Sequence, residues 1–426
     1  MNNKITITQM IRASEKLRKE GEHFTHIGIG PMSYNLLRAA LELAKEKDFP
    51  LILIASRNQV DSDKFGGGYV CGFDQKRFVE TTDKIAKEIG FDGLCYFCRD
   101  HGGPWQRDKE RNDKLPTEEA LQIGLESYFD DAEAGFDLLH IDPTKNPHCG
   151  AVVPLDLVLE HSIYLIEKIE EERVKRGWKE LAYEVGTEET MGGLIDPGAF
   201  ENFIKELKVV LDKKGYPMPL FVVGQTGTLT RLTTNVGHYD TPTAKKLSDI
   251  TLKYGTGLKE HNGDYLSNAI LLEHPVFGLS AMNVAPEFGL VETEALLELG
   301  TVEAKFVDPS KQSHIHDVLR KHAVLSERWR KWMLGDKKNA SVDEIMNSEE
   351  DSELICKMCG HYTLENKEVK EAIKILNENT KALGLHPQEY VIKKIKDSID
   401  RYIYCFGLYG TTTKLIKAAK WKNTFV

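Results

Sequence analysis

No stretch of this sequence is apolar for long enough to span a bilayer, which excludes a helical membrane protein. Cysteine is scarce and odd in number, seven among 426 residues. A disulfide-stapled secreted scaffold is therefore excluded, and a reduced, cytoplasmic protein is expected. Positive charge does not dominate: 56 Lys and Arg face 66 Asp and Glu, for a formal net charge of −10. That balance gives no support to nucleic-acid or acidic-membrane partners. The opening residues lack the sustained apolar core of a signal peptide. No phosphate-loop or dinucleotide fingerprint is present either.

What is present is a repeated alternation. Eight short apolar runs occur in order: THIGIG, LILIAS, LCYFCRD, FDLLHID, LAYEVGTE, PLFVVGQ, GTGLKEH and SAMNVAP. Continuous apolar runs of this kind suit buried parallel strands. Between them lie stretches with apolar residues near i, i+3, i+4 and i+7, several stopping at Gly, as helices do. An open doubly wound sheet would use the same units, but a count of eight predicts a closed (β/α)8 TIM barrel. Residues 5–21 read as an amphipathic helix that plugs the barrel or covers its side. The barrel is expected over residues 1–305, with a helical C-terminal extension over 306–426. The stretch NSEEDSE reads as an exposed linker within it.

Nearly every run ends in a cluster of Gly, Asn, Asp, His or Glu, and barrel active sites form at those strand ends. The third run closes with RDHGGPWQRD. There His101 suits a divalent metal and Asp100 a proton transfer, while Gly102 and Gly103 permit close backbone approach to a ligand. A polar turn capping the next helix is the plainer reading. His261 closes the seventh run beside Asp264, and His238 lies in the loop after the sixth. Glu188 follows the fifth run, where Glu189 and Glu184 compete for its role, and Asp142 follows the fourth. Asn58, Gly67, Gln225, Asp264 and Asn283 lie in the same strand-end segments and are expected to contact substrate. Nitrogen and oxygen ligands at an open site fit zinc, with manganese or another divalent ion as alternatives. Cys95 and Cys98 fall inside a buried strand and read as packing. Cys356 and Cys359, before His361, read at most as a partial zinc site.

With these segments in hand, the chain resembles the second, accessory "Z" subunit of the D-tagatose-1,6-bisphosphate aldolases of class II. The resemblance runs in order through HIGIG, the segment ending at Val60, FGGGY, RDHGGPW, GFDLLHID, YEVGTEE, VGHYDTP, KEHNGDY and MNVAPEFG. It includes SIDRYIYCFGL near the C-terminus. The family pattern has Asp-His-Leu-Gly-Pro where this chain has Asp-His-Gly-Gly-Pro.

The resemblance implies a TIM-type barrel related to the class II aldolases and to ketose or ketose-phosphate epimerases. The family site carries over onto Asp100, His101, Asp142, Glu188, His238 and His261. His101, Glu188, His238 and His261 are expected as metal ligands, with Asp100 and Asp142 as acid and base and Glu188 as a further catalytic candidate. The implied function is a metal-dependent enzyme acting on a ketose or ketose phosphate by aldol cleavage or C4 epimerisation. The alternative is a non-catalytic subunit that stabilises a separate aldolase chain. A sugar-binding protein without chemistry is a third reading. An oligomer is expected, with no nucleic-acid or membrane partner.

Overall fold

The structure, a computed structural model, describes residues 3–150, 152–187 and 194–420. All eight apolar runs form strands, each almost wholly buried: β1 (His26–Ile29), β2 (Leu51–Ser56), β3 (Cys95–Gly102) and β4 (Leu138–Ile141), then β5 (Ala182–Gly186), β6 (Phe221–Val223), β7 (Gly257–Glu260) and β8 (Ala281–Val284). They pair in parallel and in sequence, and β1 pairs with β8, so the sheet closes as a barrel. The doubly wound alternative is thereby set aside. Connecting helices start on side-chain caps such as Ser33, Asp74, Asp196 and Asp240. Several end at a left-handed Gly, as at Gly90, Gly135, Gly177 and Gly215. Among the described residues no helix is long and apolar enough to cross a membrane.

The helix Ile7–Lys19 seals the end of the barrel opposite the strand C-termini. Ser14 Oγ meets His26 Nε2 at 2.7 Å, at the start of β1. Arg18 donates to the Gly278 carbonyl at 2.8 Å, and Tyr96 Oη donates to the Ile5 carbonyl at 3.0 Å. Met10 and Ile11 are buried against the barrel floor.

The helices after Phe306 continue the barrel's own hydrophobic core through Leu319, Val369, Ile395 and Leu415. A smaller cluster gathers around Trp329, Ile355 and Cys359. The helix Pro387–Cys405 packs on Pro286–Phe306 and Tyr34–Lys47. NSEEDSE is not a linker. Ser348 caps the helix Glu349–Cys359, whose first turn holds Glu349, Glu350 and Asp351. Acidic charge stabilises a helix N-terminus, so the sequence's charge run builds a helix start. All seven cysteines are free thiols, and Cys95 and Cys98 are buried in β3 as packing residues.

One buried ion pair ties the outer face of β3 to its neighbours. Arg99 is fully buried; its Nε donates to Asp131 Oδ2 at 2.8 Å, and its Nη1 donates to the carbonyls of Ala55 and Val60, each at 2.8 Å. Removing one partner strands the other in a dry interior. Arg99→Met is expected to destabilise the fold by roughly 3–5 kcal/mol in urea unfolding, and adding Asp131→Leu should restore much of the loss. An unaffected single variant would show that the pair contributes nothing.

Candidate metal centre

Adjacent residues of a regular strand face opposite sides, so Asp100 and His101 cannot both enter the barrel without a break in β3. The break is there. Arg99 pairs with Leu139 and Gly102 with Ile141, three steps on one strand against two on the other. His101 occupies the bulge at φ 43°, and its N–H donates to His140 Nδ1 at 3.1 Å in place of a strand carbonyl. Bulges of this kind re-aim side chains beside active sites.

The ligand atoms of Asp100, His101, His140 and His261 lie within 4.8 Å of one another. The three imidazoles surround a common point, with ring centroids 4.7, 5.0 and 5.4 Å apart. Each outer nitrogen of two of them meets a carboxylate. His101 Nδ1 lies 2.7 Å from Asp142 Oδ2, and His261 Nε2 lies 2.9 Å from Glu184 Oε1. Their inner nitrogens, His101 Nε2 and His261 Nδ1, are 3.2 Å apart. If both outer nitrogens donate, two lone pairs face each other, and a proton or a cation must lie between them. Adjacent nitrogens on tetrahedral zinc, with bonds of ~2.0–2.1 Å, are separated by about 3.3 Å. The donor set and its spacing therefore fit a divalent cation. Carboxylates on the far nitrogens are the usual support of metal-binding histidines.

The electrostatics follow from burial opposed by charge. Burial alone would raise Asp142, but the hydrogen bond and charge of His101 hold it far below the usual carboxylate range. Burial of Glu184 is likewise outweighed, by the Lys259 ammonium first and then by His140 and His261, so it stays ionised. Lys259 Nζ contacts Glu184 Oε2 at 2.5 Å. Asp100 is held low against burial by His101, His261 and His140 together. Burial pushes His140 down to about 4, so it is a neutral imidazole; its Nδ1 lone pair accepts the His101 N–H and reaches a cation by releasing that bond. A Cβ on Gly186 would meet His140 Nε2 at 2.8 Å, so a glycine there leaves His140 its place.

Several sequence expectations need correction. Asp142 is not a free acid or base: its carboxylate is bonded to His101 and to the hydroxyl and N–H of Thr144. It orients His101 instead. His238 is exposed and outside the cluster, because the chain after β6 folds into a ribbon of Thr230–Arg231 and Thr234–Asn235 that carries it outward. Glu188 and Glu189 lie outside the described residues. Gly102 and Gly103 crowd the Tyr128 ring and hydroxyl, so their smallness serves packing. Asn58, Asp264 and Asn283 border the cavity above the cluster, whereas Gly67 and Gln225 do not. Asn283 donates to Asp100 Oδ1 at 2.9 Å. Asp264 accepts the N–H groups of Ala285 and Glu287, and burial first of all pushes it up to about 7. Cys356 and Cys359 form no metal group with His361 among the described residues.

The sequence reading passed over His140 and Lys259, and weighed Glu184 only as a rival to Glu188. Alternation offered the signal: His140 precedes Asp142 by two, and Lys259 precedes His261 by two. The SIDRYIYCFGL segment braces this site from behind. Tyr402 Oη donates to the Gly263 carbonyl at 3.2 Å, and Arg401 pairs with Glu287 at 3.0 Å. Glu287 in turn accepts the Tyr265 N–H at 2.6 Å, fixing the loop that begins at His261.

A family profile described as "D-tagatose-1,6-bisphosphate aldolase subunit GatZ/KbaZ-like" matches residues 11–388. The chain belongs to this family. No curated protein matches the sequence. Among solved structures, a probable tagatose 6 phosphate kinase from Sinorhizobium meliloti 1021 shares the fold at a TM-score of 0.73 and 20% identity, covering 89% of this chain and 100% of its own. The fructuronate-tagaturonate epimerase UxaE from Cohnella laeviribosi gives a TM-score of 0.54 at 12% identity, with 91% and 82% covered. The YdjI aldolase from Escherichia coli K12 gives 0.51 at 12% identity, with 95% and 97% covered.

Glu184 should govern cation affinity without touching the cation. Glu184→Ala is expected to weaken binding about 10–100-fold in chelator competition. An affinity equal to the wild type would remove Glu184 from the site.

Proposed function

We propose that this protein is a metal-dependent enzyme that acts on a ketose or ketose phosphate, by aldol cleavage or by epimerisation at C4. The observation that carries this reading is the convergence of three imidazoles on one point, two of them backed by buried carboxylates. His101, His140 and His261 are the residues that hold the cation, zinc first and manganese second. When bound, it supplies a Lewis acid that polarises a sugar oxygen. Three protein ligands with one position left for substrate is the usual arrangement of a catalytic zinc site.

Asp100 carries the proton. Asp142 and Glu184 are committed to imidazoles and Asp264 to backbone N–H groups, whereas Asp100 borders the cavity with, among the described residues, the Asn283 amide as its one hydrogen-bond donor. In aldol cleavage the base takes the proton of the C4 hydroxyl. The C3–C4 bond then breaks, and its electron pair remains on C3 beside the carbonyl. Re-addition to the other face of the aldehyde returns the proton and gives the C4 epimer. One constellation thus serves both reactions. The Asn283 amide fixes the Asp100 carboxylate for that transfer.

The family description itself favours a second reading, an accessory subunit that stabilises a separate catalytic aldolase chain. Turnover of tagatose and fructose phosphates by the purified chain discriminates the two. On the first reading the chain turns over alone, and Asp100→Asn lowers kcat by about 10²–10⁴-fold while metal content is retained. Activity that appears only when a second polypeptide is added establishes the accessory role instead.

A further inference from the structure

A cavity of about 150 Å³ lies above the candidate cation site. One side of it is the barrel, with Asp100, His101 and His261. The other comes from the C-terminal extension, which contributes Lys331, Trp332 and Tyr362. The extension is tied to the barrel loop at this point: the Leu232 N–H donates to the Trp332 carbonyl at 3.2 Å.

Lys331 is exposed and has no ion pair among the described residues. Its ammonium sits over two rings instead, 4.8 Å from the Trp332 centroid and 5.6 Å from that of Tyr362. Asp108 is near enough for its charge to act on Lys331, but it is bonded to Arg111. A further cation, Arg328, acts on the same point. Arg328 stacks on Tyr69 at 4.9 Å and Tyr362 at 5.2 Å, and its Nη1 is buried with no hydrogen-bond partner among the described residues. Lys331 lines the cavity, and Arg328 stacks on Tyr69 and Tyr362, which line it too; two positive groups without a bound carboxylate repel one another there until an anion enters.

We infer that Lys331 and Arg328 form an anion site at the barrel mouth that takes the phosphate end of the substrate, with the sugar lying between it and Asp100. The assignment rests on the reading of the centre as one for a ketose phosphate. It gives the C-terminal extension a part in substrate selection. Ammonium and guanidinium groups grip a phosphate dianion more strongly than a carboxylate, and the aromatic rings keep the Lys331 head from swinging into bulk water.

Calorimetric titration of the purified full chain with inorganic phosphate, at fixed ionic strength, tests it without turnover. Binding is expected, about tenfold or more weaker in Lys331→Met and in Arg328→Met. It should be unchanged in Lys205→Met, on an exposed face of the helix Pro197–Lys214. No phosphate binding, equal affinity across the three variants, or tighter binding of acetate than of phosphate would overturn the assignment. A chain that binds phosphate through Lys331 but turns nothing over leaves this site standing and defeats the catalytic reading. A chain that turns over with no dependence on Lys331 does the reverse.

Discussion

Everything at the mouth of this barrel is organised by two imidazole nitrogens that face each other at 3.2 Å. Each ring is fixed from behind by a buried carboxylate, so neither can turn its lone pair away without losing a charge-assisted hydrogen bond. A third ring, His140, and a third acid, Asp100, close on the same point. Such a centre is unfavourable until something positive occupies it, which is the electrostatic condition for binding a cation.

The barrel makes this arrangement possible by departing from regularity in one place. The bulge in β3 turns two consecutive residues, Asp100 and His101, toward one interior. The Arg99–Asp131 pair, on the outer face of the same strand, anchors the strand that carries the bulge. Behind β7, Tyr402 and Arg401 hold the loop after His261 through Gly263 and Glu287. Residues from the far end of the chain thus fix a site built early in it. The extension also reaches over the mouth with Lys331 and Trp332. It is packed as part of the barrel's core and borders its cavity.

The fold was legible because buried parallel strands must be apolar throughout, and eight such runs stand clear of the helical periods between them. Asp100, His101 and His261 were legible because they sit where strands end. His140 was not, since a lone His inside an apolar strand reads as a core residue; only its spacing from Asp142 betrays it. His238 misled because proximity to a strand end in sequence is not proximity in space, and the ribbon after β6 carries it outward. Asp142 lies against the imidazole cluster as expected of a strand-end residue, but its bonds to His101 and Thr144, which no spacing rule reveals, leave it no free carboxylate for acid or base work. The acidic run NSEEDSE shows the same limit: charge density cannot separate a loop from a capped helix start.

The central claim is that the facing imidazoles share a metal cation. Anomalous X-ray scattering from crystals of the purified protein, recorded on both sides of the zinc and manganese absorption edges, tests it directly. The account predicts an element-specific peak bonded to His101 Nε2 and His261 Nδ1, with His140 beside it. Well-ordered rings with no anomalous peak between them, after growth with both metals supplied, would mean that a shared proton bridges them, and the metal assignment would fall.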